Sequence, residues 1–301
     1  MAELFTVFVN VILPVFGIVL LGMQLGRRLE LQARTLTRVA YYVFVPAFIF
    51  QAISGAQVPF AQALQMLLFI IVVHLLAVGV AGVLGRILGW SREMIAALVM
   101  IAAFGNVGNY GLALVSFHLG EAAIAPATIY YVAIAIVAFV ICVGAAGWAH
   151  GGGAGAIWQV LRTPALWATV PAVMVAAWDL PVPLMLERMI GLLADAMIPV
   201  MLFALGLQLL EQGKVHLTGK VLLGSGIRLG LVPLLALLIV PYFNLNPTES
   251  AAGVLQAAMP AAVLVAIIAK ENQVVPEYVT SVVVVTTLAS VISLSLLMVL
   301  L

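Results

Sequence analysis

Gly105-Asn106-Val107-Gly108-Asn109-Tyr110-Gly111 interrupts an apolar run that extends from Met94 to Phe117. A membrane helix at this place would be built of Leu, Val, Ile and Ala, yet three glycines and two asparagines fall within seven residues. In lipid an unsatisfied backbone or amide group costs several kcal/mol, so irregular backbone persists at depth only where it lines a cavity in the protein. The stretch therefore predicts a broken helix at a transport site, held and moved by the rest of the chain.

Composition sets the class. The chain has 301 residues, 65% hydrophobic and 8% charged, with a mean hydropathy of +1.28. Soluble domains carry roughly 25% charged residues, so an integral membrane protein with little soluble mass is expected. A net charge of +1 without a basic cluster offers nothing to nucleic acid. The single cysteine, Cys142, excludes an internal disulfide and a cysteine zinc site, and His74, His118, His150 and His216 lack metal-ligand spacing. No metal or cofactor is expected. Met1-Ala2-Glu3-Leu4 lacks the positive start of a signal peptide, which predicts a retained first span.

A span needs roughly 20 apolar residues. Ten candidates follow: 5–26, 35–54, 62–88, 94–118, 122–148, 161–179, 184–210, 218–241, 249–269 and 275–300. Their connections are short. The Gly-rich run from His150 to Gly155 at mid-chain lacks the Gly-Lys-Ser/Thr ending of a phosphate loop and reads as a linker between halves. Arg27, Arg28, Arg34, Arg38, Arg86, Arg92, Arg162, Lys214, Lys220 and Lys270 lie at or near the turns after odd-numbered spans, against Arg188 alone on the other side. The bias predicts that those turns are cytoplasmic and that both termini face outward.

At an offset of about 150 residues, features recur between the halves. Val45-Pro46 in span 2 matches Ile198-Pro199 in span 7, and His74 matches Arg228. The Gly-Asn break of span 4 falls opposite Met259-Pro260-Ala261 in span 9, and Pro126 falls opposite Pro276. Two five-helix repeats, residues 1–150 and 151–301, are expected. Five is odd, so the second repeat enters the membrane from the other side. Interrupted helices at corresponding places in inverted repeats are the sequence pointer to a secondary-transporter site.

The candidate residues follow from chemistry. Asn106 and Asn109 share a helical face, or turn into a cavity if the chain unwinds. Their amides either bind substrate or satisfy the freed carbonyls of the break. Gly108 and Tyr110 belong to the same stretch. Pro260 removes a backbone donor and clashes with the preceding turn, which gives either an ordinary kink or the matching break. Met259 and Gln256 flank it. The C-terminal halves of two broken helices present N-terminal dipole ends, each about half a positive charge, to one point, which favours a carboxylate. The carbonyl ends of the N-terminal halves suit a cation. Asp195 is the one acid and Arg228 the one base deep in a predicted span. Such charges default to function. They either pair with each other, or Asp195 titrates as a coupling site while Arg228 attracts the anion. His74 is a second titratable candidate, with a satisfied interior histidine as the plainer reading. Gln51, Tyr42 and Tyr130 are candidates for the cavity wall. The Gly22–Gly26, Gly85–Gly89 and Gly226–Gly230 pairs read as helix packing.

Leu13-Pro14-Val15-Phe16-Gly17, Val45-Pro46-Ala47-Phe48-Ile49-Phe50, the Gly-Asn stretch, Met259-Pro260 and Val285-Thr286-Thr287-Leu288-Ala289-Ser290 resemble, in order and spacing, the auxin efflux carrier family. Its members include plant PIN proteins and bacterial malonate-type permeases. The resemblance covers essentially the whole chain. It implies an all-α membrane protein of ten helices in two inverted repeats, with helices 4 and 9 broken and crossing. Bile acid:sodium symporters and sodium/proton antiporters share that architecture. It also implies a core of spans 3–5 and 8–10 moving, elevator-like, against a scaffold of spans 1, 2, 6 and 7 that forms a dimer face. Plant PIN proteins carry proline at the break of helix 4, where this chain has glycine and asparagine.

The expected function is secondary transport of a small organic anion across the cell inner membrane, by proton coupling or by simple uniport. A sodium-coupled symporter of the bile acid type is the rival within transporters, and span 9 offers it no acid at depth. A membrane receptor would need an output domain, and an intramembrane protease would need paired aspartates or a His-Glu-x-x-His run. Neither is found in the sequence.

Overall fold

The computed structural model describes residues 2–55, 58–150, 164–212 and 214–301, which are helical without a β-strand. The helices are α1 Glu3–Leu29, α2 Ala33–Ser54, α3 Phe60–Ile87, α4 Arg92–Ala103, α5 Leu112–Leu119, α6 Glu121–His150, α7 Pro164–Trp178, α8 Leu184–Glu211, α9 Gly219–Tyr242, α10 Pro247–Ala257, α11 Val263–Glu271 and α12 Pro276–Leu300. Seven of them, α1, α2, α3, α6, α8, α9 and α12, are long and apolar enough to cross a membrane. The expected spans 94–118 and 249–269 are not continuous. They are the pairs α4/α5 and α10/α11, each interrupted near its middle. The Gly-rich segment 151–155 and Arg162 lie outside the described residues.

Proline shapes the long helices. It clashes with the carbonyl four residues earlier and leaves it without a donor. In α1, α2 and α9 the helix responds by widening into a π turn, at Phe8–Ile12 before Pro14, Ala40–Phe44 before Pro46 and Ile227–Leu231 before Pro233. Pro199 does the same to Asp195, where α8 breaks into a turn at Ala196. Ends are capped by ordinary means. Gly89 (φ 66°) closes α3, with the Trp90 N–H donating to the Gly85 carbonyl at 3.0 Å. The Ser91 hydroxyl accepts from the Met94 N–H to start α4. Asn246 and Glu249 form a reciprocal capping box on α10, each bond 2.9 Å.

Several helix pairs pack extensively. α1 lies on α8, and α2 packs on α7 and the first half of α8. α3, α4 and α6 pack together, while α9 and α11 lie on α12. The α1–α8 contact is a close backbone approach. A Cβ at Gly22 would strike the Phe203 carbonyl, and one at Gly206 the Val19 carbonyl. Packing was the expected role of Gly22–Gly26 and of Gly85–Gly89; Gly85 meets Ile95, whereas a Cβ at Gly89 would meet no described neighbour within 4 Å. For Gly226–Gly230 that expectation fails, because among the described residues a Cβ at either would meet no neighbouring element within 4 Å. Gly224, facing Tyr278, is the close contact of that helix.

Gly206→Val should separate α1 from α8 and cost about 1–3 kcal/mol by overpacking. It is read as a clear fall in melting temperature of the detergent-solubilised protein. Gly79→Ala, with open space around it, should show no fall.

Candidate functional site: the paired helix breaks

The two interruptions face each other. α4 stops at Phe104, whose backbone turns extended (φ −117°, ψ 98°). α10 stops at Ala257, ahead of Pro260, which cannot donate to the Gln256 carbonyl. Gly105 and Ala261 then pair as an antiparallel bridge. The Asn106 N–H donates to the Pro260 carbonyl at 2.7 Å, and the Ala262 N–H donates to the Phe104 carbonyl at 2.9 Å. The Ala261 N–H donates to Thr286 Oγ1 at 3.1 Å. Each break thereby donates one backbone hydrogen bond to the other. The chain re-enters helix through the π turn Val107–Gly111 on one side and at Val263 on the other. The first turns of α5 and α11 therefore start from the same place.

The glycines of the opening stretch are close-approach positions. A Cβ at Gly105 would overlap the Arg228 guanidinium, one at Gly108 the Tyr131 ring, and one at Gly111 the Gln256 amide. Arg228 is wholly buried on α9. Its Nε donates to the Met259 carbonyl at 2.7 Å, Nη1 to Ala102 at 2.9 Å and Nη2 to Ala257 at 2.8 Å. Arg228 therefore does not pair with Asp195, and it offers no open face to a ligand.

The other expected residues divide. Asn106 is 5% exposed, and its Nδ2 has no partner. Gln256, fully buried, donates to the Ala127 carbonyl at 3.3 Å while its Oε1 is unpartnered. Asn109 is half-buried. Tyr110 is core: its ring meets Phe16 edge-on, and its hydroxyl accepts from Ser290 at 3.3 Å. His74 is a satisfied interior residue. Its Nδ1–H donates to the Ile70 carbonyl at 2.9 Å, and Nε2 faces the Tyr130 hydroxyl at 3.5 Å.

Gln51 and Asp195 sit elsewhere, in the wall of a cavity of about 720 Å³. Gln62, Ser116, Glu121, Asn246, Thr248 and Glu249 supply the rest of its polar lining. Asp195 is exposed there, at the α8 turn that Pro199 creates. Tyr42 and Tyr130 do not line it. The cavity approaches the breaks through α6, where Pro126 lines it and Ala127 accepts the Gln256 amide. Sequence reasoning passed over Thr286, Tyr131 and the acids Glu121 and Glu249. The pair Thr286-Thr287 within an apolar span was the available signal for the first. The acids lie beside turns, where charge is unremarked.

Comparison with known proteins agrees with the resemblance read from the sequence. Residues 154–298 match the family model described as "Membrane transport protein". The chain is 28% identical over 294 residues to an "Uncharacterized transporter" of Methanothermobacter thermautotrophicus, covering 95% of each chain. It is 25% identical over 296 residues to a "Putative malonate transporter" of Rhizobium meliloti, covering 94% of this chain and 92% of that one.

Gly105→Ala should force the guanidinium off its carbonyls. A lowered melting temperature is expected, with Gly226→Ala, which meets nothing within 4 Å, as the unaffected control.

Proposed function

Since the chain is a multi-pass membrane transporter and not an enzyme, with the membrane transport protein family's model matched over residues 154–298, we propose that it is a permease for a small organic anion working by alternating access. The substrate class we propose is a short carboxylate, supported by the likeness to the Rhizobium meliloti protein. The observation that carries the reading is the pairing of the two breaks, which gathers two helix starts beside Asn106 Nδ2, a buried donor without a partner among the described residues. Each helix start is equivalent to about half a positive charge. A carboxylate held there would accept from first-turn N–H groups and from the asparagine amides, with Gly108, Met259 and Pro260 shaping the backbone around it.

In this reading α4/α5 and α10/α11 are spans 4 and 9 of ten, in two inverted repeats. The dense packing of α1, α2, α7 and α8 on one another supports a scaffold against which α3–α6 and α9–α12 move. The scaffold is the proposed dimer face, and the protein sits in the cell inner membrane with both termini outside. The cavity then opens outward, since the turns at Gly55, Glu121 and Asn246 that line it are opposite the basic turns. Asp195 on α8 faces that cavity at the scaffold–core boundary. It is the proposed proton-coupling carboxylate, and Gln51 on α2 guides entry.

Uptake of labelled malonate into proteoliposomes tests the site. Asn106→Ala and Asn109→Ala should each reduce uptake efficiency about tenfold, the scale of one lost hydrogen bond to a charged group. Wild-type rate and affinity in both variants would sink the proposal.

Asp195→Asn should abolish stimulation by an inward proton gradient while leaving substrate counterflow intact. Undiminished stimulation would assign coupling to another group.

A further inference from the structure

The charge at the breaks belongs to the protein itself. Arg228 is 0% exposed, and among the described residues no carboxylate pairs with it. A lone buried cation is costly in a membrane and persists only with compensation. Its compensation is three backbone carbonyls. Ala102 lies in the last turn of α4, Ala257 ends α10, and Met259 lies in the break itself. Those are the negative ends of the two N-terminal half-helices, each about half a charge. In transporters with discontinuous helices, unwound carbonyls and half-helix C-termini are what coordinate a coupling cation. Here the π turn Ile227–Leu231 brings a guanidinium to that position, and Gly105 leaves the space it fills.

We propose that Arg228 is a tethered cation that takes the place of a soluble coupling cation at the paired breaks, so that transport requires neither sodium nor potassium. The charges close simply. The two helix C-termini contribute about −1 together, and Arg228 cancels it. The two helix starts then remain with about +1, available to a carboxylate. Because the guanidinium is covalently attached and bonded through all three nitrogens, the positive side of the site is assembled before substrate arrives. Arg228 acts here as a positioning residue, through helix ends and not by touching substrate.

The flux arm of the test rests on the transport reading above; the stability arm does not. Wild-type malonate uptake should be equal in sodium, potassium and choline media of the same ionic strength. Arg228→Ala should lose uptake in choline by about tenfold or more, because three buried carbonyls lose their donor. Its melting temperature should rise by a few degrees with low-millimolar guanidinium or sodium chloride relative to choline chloride, while the wild type stays flat. Arg228→Lys, which restores a tethered charge, should regain part of the choline uptake and respond less to added cations. Sodium or potassium stimulation of the wild type would overturn the proposal. So would full choline uptake by Arg228→Ala, or a folded Arg228→Ala whose stability ignores the cation. If Arg228→Ala does not fold, the medium dependence of the wild type and of Arg228→Lys decides. Should the wild type carry no carboxylate in any medium, the transport reading fails while the melting series still decides the cation position.

Discussion

A broken helix inside a membrane leaves backbone groups that no water will satisfy, and this molecule is arranged around that constraint. The solution is mutual: the break after α4 and the break after α10 hydrogen-bond to each other through Asn106, Pro260, Phe104 and Ala262. Neither break is admissible alone, because each orphaned group in lipid costs several kcal/mol. The Ala102, Ala257 and Met259 carbonyls at these half-helix ends are taken by one side chain, Arg228, and the Ala261 amide by Thr286. Glycine at 105, 108 and 111 follows from this arrangement, since each is where another helix's side chain presses against the backbone.

The second organising feature is the separation of the cavity from the breaks. The polar wall with Asp195 and Gln51 is accessible, whereas Asn106, Gln256 and Arg228 are buried. α6 connects the two, with Pro126 on the cavity and Ala127 holding Gln256. The unpartnered Asn106 Nδ2 and Gln256 Oε1 are buried next to the helix starts.

Legibility varied with the range of the interactions. The interruption at Gly105–Gly111 was visible because glycine and asparagine contradict a local composition rule. The interruption at Pro260 was visible because proline has a local covalent effect. The π turns before Pro14, Pro46 and Pro233 follow from the same clash. Pairing of Asp195 with Arg228 was an alternative based only on the depth of each charge along its span. Depth says nothing of rotation about the helix axis, and the two side chains face different surroundings. The glycine pair at 226 and 230 misled for the same reason: spacing identifies a helical stripe but not whether anything packs on it.

By itself, then, the sequence determined a membrane protein, the approximate places of its helices, the two breaks and a resemblance to a transporter family, since hydropathy, proline and glycine act locally. Only the tertiary structure decided that the breaks complete each other, that Arg228 serves carbonyls instead of a carboxylate, that Tyr110 and His74 are core, and that Asp195 opens on a cavity. Those outcomes depend on which faces of distant helices meet, and facing is set by packing across the whole chain.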